Sequence, residues 1–198
     1  MRVILASKSP RRREILAMLG VDFEILSADA DESSDILDPN ELVRELALRK
    51  GRAVRDLLVE KGEWNADTLI IAADTVVAAG GEILGKPRDD ADAARMLGML
   101  AGTKHHVVSG VALLSGEREL AASESTAVRF APMTEEEITR YVATGEPRDK
   151  AGAYAVQGIA SLYIEGLEGD YFNVVGLPVH RLNALLLAFL QRPLTDLA

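Results

Sequence analysis

The chain contains no cysteine. That removes disulfides, thiolate metal sites and cysteine nucleophiles together, and it suits a reducing compartment. No run approaches the ~20 apolar residues that a membrane span requires. The first apolar stretch is short and leads directly into charge, unlike a signal peptide, so a cytoplasmic protein without membrane contact is expected. Neither common phosphate cradle is present: there is no Gly-Lys-Ser/Thr Walker loop and no Gly-x-Gly-x-x-Gly turn. Repeats, low-complexity tracts and any linker long enough to separate domains are also missing. Basic residues are in deficit, with 22 Lys and Arg against 31 Asp and Glu for a net charge of −9. This disfavours a nucleic-acid polymer as partner but leaves room for a small anion held in a local basic pocket.

The remaining composition, 48% hydrophobic and 27% charged over 198 residues, predicts one domain spanning 1–198 with a substantial core. Strand and helix signals alternate. Val3 to Ala6 is a short apolar run, Ser7 to Ser9 a polar turn, and Pro10 opens a helix that Gly20 stops. Phe23 to Leu26 predicts a second strand, followed by an acidic loop from Asp29 to Asp35 that lacks the glycine and terminal glutamate of a calcium loop. Asp38, Pro39 and Glu41 form a helix start, and the helix runs to about Lys61. Thr68 to Ala79 is almost continuously apolar and β-branched, the pattern of a buried central strand. Gly80-Gly81 turns into Ile83-Leu84, and a helix from about Asp89 to Leu100 follows. His105 to Leu114 and Ser123 to Phe130 predict a hairpin of long strands. Thr134 to Glu137 is a capping box for a helix to about Ala143. The glycine-punctuated stretch from Gly145 to Pro178 predicts short strands, and Val179 to Leu190 a closing helix.

Several residues point to chemistry. Ser7, Arg11, Arg12 and Arg13 surround the start of the first helix, where amides and partial positive charge already favour anions. Cations at that end cost helix stability, so their presence suggests phosphate; basic residues on a solvated surface are the alternative. Asp74 interrupts the most apolar strand. A carboxylate there must be paired, metal-bound or placed at an open strand end; an architectural bridge is the alternative to a functional role. Lys86 lies in a rigid Gly-Lys-Pro loop, with an ordinary exposed turn lysine as the alternative. Asp149 and Lys150 precede small residues that allow close backbone approach, and the Gln157 amide suits the edge of a base or a ribose hydroxyl. Glu32 is a carboxylate available to a magnesium held mainly by phosphates. His105 and His106 are adjacent in a strand and point to opposite faces, which is wrong for one metal.

Together, Leu5-Ala-Ser-Lys-Ser-Pro-Arg-Arg12, Leu46-Ala-Leu-Arg-Lys50, Ala73-Asp-Thr-Val-Val77, Gly85-Lys-Pro87, Asp149-Lys-Ala-Gly-Ala-Tyr-Ala-Val-Gln-Gly158 and Asn173-Val-Val-Gly-Leu-Pro178 resemble the Maf family of nucleoside triphosphate pyrophosphatases, in its order and spacing. The resemblance implies a metal-dependent hydrolase, using Mg2+ or Mn2+, that splits a nucleoside triphosphate into the monophosphate and pyrophosphate. It places the general base on Asp74, phosphate binding on Ser7, Arg12, Lys50 and Lys86, and a carboxylate near the metal on Glu32. Base selection falls on Arg11, Thr75 and Gln157. Arg11, where the 7-methyl-GTP branch carries tryptophan, points to the dTTP/UTP branch. Gly51 departs from relatives that often carry alanine there. The fold implied is α/β, a long twisted mixed sheet flanked by helices in two lobes with a central cleft, and a homodimer is expected. A nucleotide-binding regulator of cell division without turnover, and a hydrolase of deaminated purine triphosphates, are the competing expectations.

Overall fold

The computed structural model describes residues 1–197. In chain order the elements are β1 (Arg2–Ala6), α1 (Pro10–Met18), β2 (Glu24–Ile25), α2 (Pro39–Glu60), β3 (Thr68–Ala79), β4 (Glu82–Leu84), α3 (Asp90–Leu100), β5 (Lys104–Ser115), β6 (Arg118–Phe130), α4 (Glu135–Ala143), β7 (Ile164–Glu168), α5 (Tyr171–Val175) and α6 (Val179–Leu190). Seven strands form a mixed sheet in the order β2-β1-β3-β5-β6-β7, with β4 paired to β3. The expected α/β class, a mixed sheet with flanking helices, is therefore what the chain adopts.

The helix starts follow their local chemistry. Asp38 accepts from the Glu41 amide at 2.9 Å and Asp89 from the Asp92 amide at 2.7 Å. Thr134 and Glu137 complete a reciprocal capping box, satisfying amides that the first turn leaves unpaired. Two expectations fail. β6 begins at Arg118 rather than Ser123, because Gly116, at φ +56°, turns the chain within two residues from β5 into its neighbour β6, so the strands pair from the turn outward. The stretch from Gly145 to Pro178 holds three 3-10 turns (Glu146–Asp149, Ala151–Ala153, Ile159–Tyr163), a single strand and α5, rather than a series of short strands. Gly145 and Gly152 have φ of +77° and +67°, which turn the chain where strands would need it extended.

The chain divides into two compact units. Unit 1 comprises Met1–Asp74, Ser109–Glu124 and the segment from Gly176; unit 2 comprises Thr75–Val108 and Ser125–Val175. In unit 1 the apolar stripe of α2, with Ala47, Val54 and Leu58, packs on Ile4, Ala6, Ile70, Ala72, Ala112 and Leu114. The helix lies so close to the sheet that a Cβ on Gly51 would overlap Leu114 Cδ1. The absence of alanine at this position is thus matched by a leucine that fills the space.

Unit 2 is built around Val77, Leu97, Leu100, Val107, Val128 and Phe130. Buried Asn173 donates to the Val107 carbonyl and to Thr126 Oγ1, both at 2.9 Å, so this motif residue is a strut of the unit. His105 and His106 do face opposite ways, one buried and one exposed. His105 is 1% exposed, packs edge-on to Phe130 and Tyr154, and places Nε2 2.9 Å from the Tyr154 hydroxyl. Burial, helped slightly by the charge of His106, lowers its pKa from 6.5 to about 4. Between those values the unfolded chain binds a proton that the folded chain refuses. The stabilisation is complete above pH 6.5 and is lost as pH falls toward 4. Relative to His105→Gln, which keeps an acceptor and cannot titrate, the wild type is expected to lose about 2–3 kcal/mol between pH 7 and 4.5. Urea unfolding of both proteins at the two pH values measures this; a constant difference contradicts it.

Candidate active site

Within unit 1, β1 lies between β2 and β3 and is parallel to both. The chain leaves β1 through α1 to one side and then crosses through α2 to the other. At such a reversal the two connections diverge and leave an opening beyond the carboxyl ends of the strands. The β1–β3 ladder ends at the pair Ala6↔Ala72. Ser7 is the first residue past β1, and Asp74 lies on the stretch of β3 that outruns it.

Strand alternation puts Asp74 on the same face as Ile70 and Ala72, and that face is covered by α2. On α2, Lys50 is three residues from Ala47 and four from Val54, so it shares their stripe. Position 74 therefore replaces an apolar contact with α2 by an ionic one. The Lys50 ammonium bonds Asp74 Oδ1 and also lies 2.9 Å from Glu32 Oε1. Glu32 belongs to the acidic loop, and Arg49, next to Lys50, anchors that loop by donating to the carbonyls of Asp31 and Ser33 at 3.3 and 2.7 Å. One turn of helix thus holds the carboxylate through the backbone on either side of it.

Arg12 completes the cluster. Its Nε donates to the Gly176 carbonyl at 2.8 Å and its Nη1 to Ser7 Oγ at 3.2 Å. Ser7 Oγ also accepts from the Ser9 amide at 3.2 Å. Ser9 makes no side-chain cap on α1, and no acidic residue occupies the first turn. Burial pushes the Arg12 guanidinium below its ordinary value; Asp74 is the strongest opposing influence, while half-buried Arg11 pushes further down. Ser7 and Asp74 are each 8% exposed. The result is two cations and two carboxylates at the end of parallel strands, with Asp74 withdrawn from water and Glu32 exposed on the loop side. Charge–charge energies there exceed those at the surface.

The donor set bears on the implied metal. Glu32 and Asp74 converge on a common cation, and both offer the hard oxygen donors that magnesium and manganese prefer. No group of three or more His, Cys, Asp or Glu side chains suited to a metal occurs among the described residues. Two carboxylates fit an ion whose remaining positions come from phosphate and water, not a cage built by the protein alone.

The other residues expected from sequence lie in unit 2. Thr75 is half-buried on β3, and Lys86 is exposed in the turn after β4. Gln157 is exposed just before the 3-10 turn Ile159–Tyr163. Lys150 donates to Asp149 at 2.6 Å and to the Glu146 carbonyl at 2.8 Å. The Gly152 amide donates to the Gly85 carbonyl at 3.0 Å, linking this loop to the turn that carries Lys86. A Cβ on Gly152 would lie 2.7 Å from Val77 Cγ2, so the loop sits directly on β3, two residues from Thr75. The structure therefore joins Ser7 to Arg12, Lys50 to Asp74 and Glu32, and Asp149 to Lys150. Thr75, Lys86 and Gln157 lie on β3, on the turn after β4 and ahead of the 3-10 turn Ile159–Tyr163. Sequence reasoning missed Glu146, whose Gly-Glu-Pro setting has the appearance of a solvated turn, and the His105–Tyr154 bond, which joins residues 49 apart.

The sequence matches the family described as Maf-like protein over residues 2–189. A dTTP/UTP pyrophosphatase of Symbiobacterium thermophilum is 49% identical, covering 95% of this chain and 94% of its own. A dTTP/UTP pyrophosphatase of Pelotomaculum thermopropionicum is 50% identical over 94% and 96%. One from Geobacillus sp. is 48% identical over 91% and 94%. Among solved structures, the Ham1 protein of Staphylococcus aureus is 15% identical with a TM-score of 0.47, covering 66% of this chain and 72% of that one, a likeness too remote to bear on fold or function.

Proposed function

The chain belongs to the Maf-like protein family, and from that premise we propose that it hydrolyses dTTP and UTP to the nucleoside monophosphate and pyrophosphate. The observation that carries this reading is the cluster of Arg12, Lys50, Asp74 and Glu32 where β1 ends and β3 continues. A triphosphate brings about four negative charges, and its hydrolysis is accelerated mainly by fixed cations and positioning. Arg12 is held by a serine hydroxyl and a carbonyl, acceptors that orient the guanidinium. Lys50 exchanges its carboxylate partners for phosphate oxygens as substrate enters. Asp74, released from Lys50, orients a water toward the α phosphorus and takes its proton. Water adds across the α–β anhydride and pyrophosphate leaves. Glu32 and Asp74 are the residues that would hold a Mg2+ or Mn2+, which supplies neutralisation of the phosphates when bound.

The family resemblance assigns further phosphate contacts to Ser7 and Lys86, and recognition of the pyrimidine to Arg11, Thr75 and Gln157, with Asp149 and Lys150 in the adjoining loop. It also carries over a cytoplasmic homodimer that clears modified pyrimidine nucleotides. No helix among the described residues is long and apolar enough to cross a membrane. A protein that only binds nucleotide as a division regulator has little use for Asp74 and Glu32, which repel phosphate; turnover is the favoured reading.

The test is pyrophosphate release from dTTP, UTP, CTP, GTP and ITP with Mg2+ and with Mn2+. dTTP and UTP are expected to lead. Arg12→Ala is expected to reduce kcat/KM on every substrate by a similar factor of about 100 or more, the scale of losing one donor to developing charge. Arg11→Ala is expected to change the ranking instead. Absence of release from any triphosphate with either metal overturns the reading.

A further inference from the structure

The stretch between α4 and β7 carries Asp149, Lys150 and Gln157, yet it has little regular structure to hold it. One side chain closes it. The Glu146 carboxylate accepts from the Ile159 amide at 3.0 Å on one oxygen, and from the Ala160 amide at 3.3 Å and the Tyr141 hydroxyl at 2.8 Å on the other. Its backbone carbonyl accepts from Lys150 Nζ at 2.8 Å. Glu146 therefore grips the loop where it begins and where it ends. Gly158 lies flat against the carboxylate: a Cβ there would overlap both oxygens. Gln157, the neighbouring residue, is placed by that contact, since the chain on its C-terminal side has no freedom to withdraw. The rest of the loop is fixed independently by Gly152 on Gly85 and by Tyr154 on His105.

From this arrangement we propose that Glu146 is a positioning residue for base selection: its carboxylate fixes Gln157 in the orientation that reads the pyrimidine. The proposal rests on the assignment of Gln157 to base recognition above. Glu146 touches neither the phosphates nor the water; it acts through Gln157.

Glu146→Gln puts an amide N–H2 or a weakened acceptor against backbone N–H groups that need a carboxylate. It is expected to reduce the preference for UTP over CTP by about 10- to 100-fold, the order lost when a positioned group shifts by about 1 Å. The loss is expected in KM for UTP, with kcat little changed. Inhibition by inorganic tripolyphosphate, which has no base, is expected to be unchanged. Gly158→Ala, which forces the same contact apart from the other side, is expected to reproduce the result should the glutamine variant fold poorly. Gln157→Ala alone, and combined with Glu146→Gln, completes a double-mutant cycle in which the double variant is no worse than either single one. If Gln157→Ala alters selection while neither Glu146→Gln nor Gly158→Ala does, or if the losses add, the Glu146 proposal fails and the base-reading role of Gln157 stands. If Gln157→Ala leaves selection untouched, both fail. A matching loss of tripolyphosphate affinity in Glu146→Gln also overturns the proposal, because it marks a general collapse of the site.

Discussion

Asp74→Asn is expected to lower kcat on dTTP by about 10²–10⁴-fold, the contribution of a placed general base. Asparagine has the same shape and keeps a carbonyl oxygen for Lys50, so α2 remains seated on β3. It removes the capacity to accept a proton. It also removes a negative charge from a cluster that must receive a polyanion, and leaves Lys50 paired only with Glu32 at 2.9 Å. Arg12, whose charged form Asp74 supports more than any other group, loses that support but gains it back from the phosphates once substrate is bound. Affinity for nucleotide in the absence of divalent metal is thus expected to hold or improve while turnover collapses. Steady-state kinetics with a near-ultraviolet dichroism check of folding measure this. Retention of full kcat shows that Asp74 serves only to seat Lys50.

Gly110→Ala is expected to cost more than about 3 kcal/mol of stability, at the upper end of overpacking effects. Gly110 lies on β5 in unit 1 where α2 crosses it. A Cβ there would overlap the Val43 carbonyl and lie 2.8 Å from the Arg44 amide. Both are backbone atoms inside a hydrogen-bonded helix, so no side-chain rotation relieves the clash and α2 must lift. Lys50 is seven residues further along the same face, two helical turns away, and would move with it; activity is expected to fall together with stability. Gly51→Ala is the contrasting case. Its added methyl overlaps only the end of the Leu114 side chain and makes an ordinary contact with Ala72 Cβ at 3.5 Å; the leucine turns aside at a cost of about 1 kcal/mol. Urea denaturation of the three proteins separates these outcomes, and a Gly110→Ala variant as stable as Gly51→Ala contradicts the account.

The elements with strong local chemistry were legible from residue order. Asp38-Pro39 and Thr134 to Glu137 announce helix starts because a side-chain oxygen and a nearby amide are enough to make a cap. Thr68 to Ala79 announces a central strand because its apolar character is continuous. The motif residues Ser7, Arg12 and Asp74 were equally visible as chemically costly choices in their settings. The stretch from Gly145 to Pro178 was not legible in this way. Its course is set by Glu146 reaching amides more than ten residues ahead and by Gly152 resting on Val77. No local pattern encodes either contact.

The sequence by itself determined the α/β class, the family and the identity of the charged residues at the end of the first strand, because these depend on side-chain type and short-range order. Tertiary structure alone decided how those residues are used. Lys50 and Asp74 are 24 positions apart and meet only because alternation on β3 and the helical repeat of α2 bring both to one shared face. Arg12 is fixed by a carbonyl 164 positions away. Pairings at such separations follow from how helix and sheet pack, and packing is a property of the whole chain.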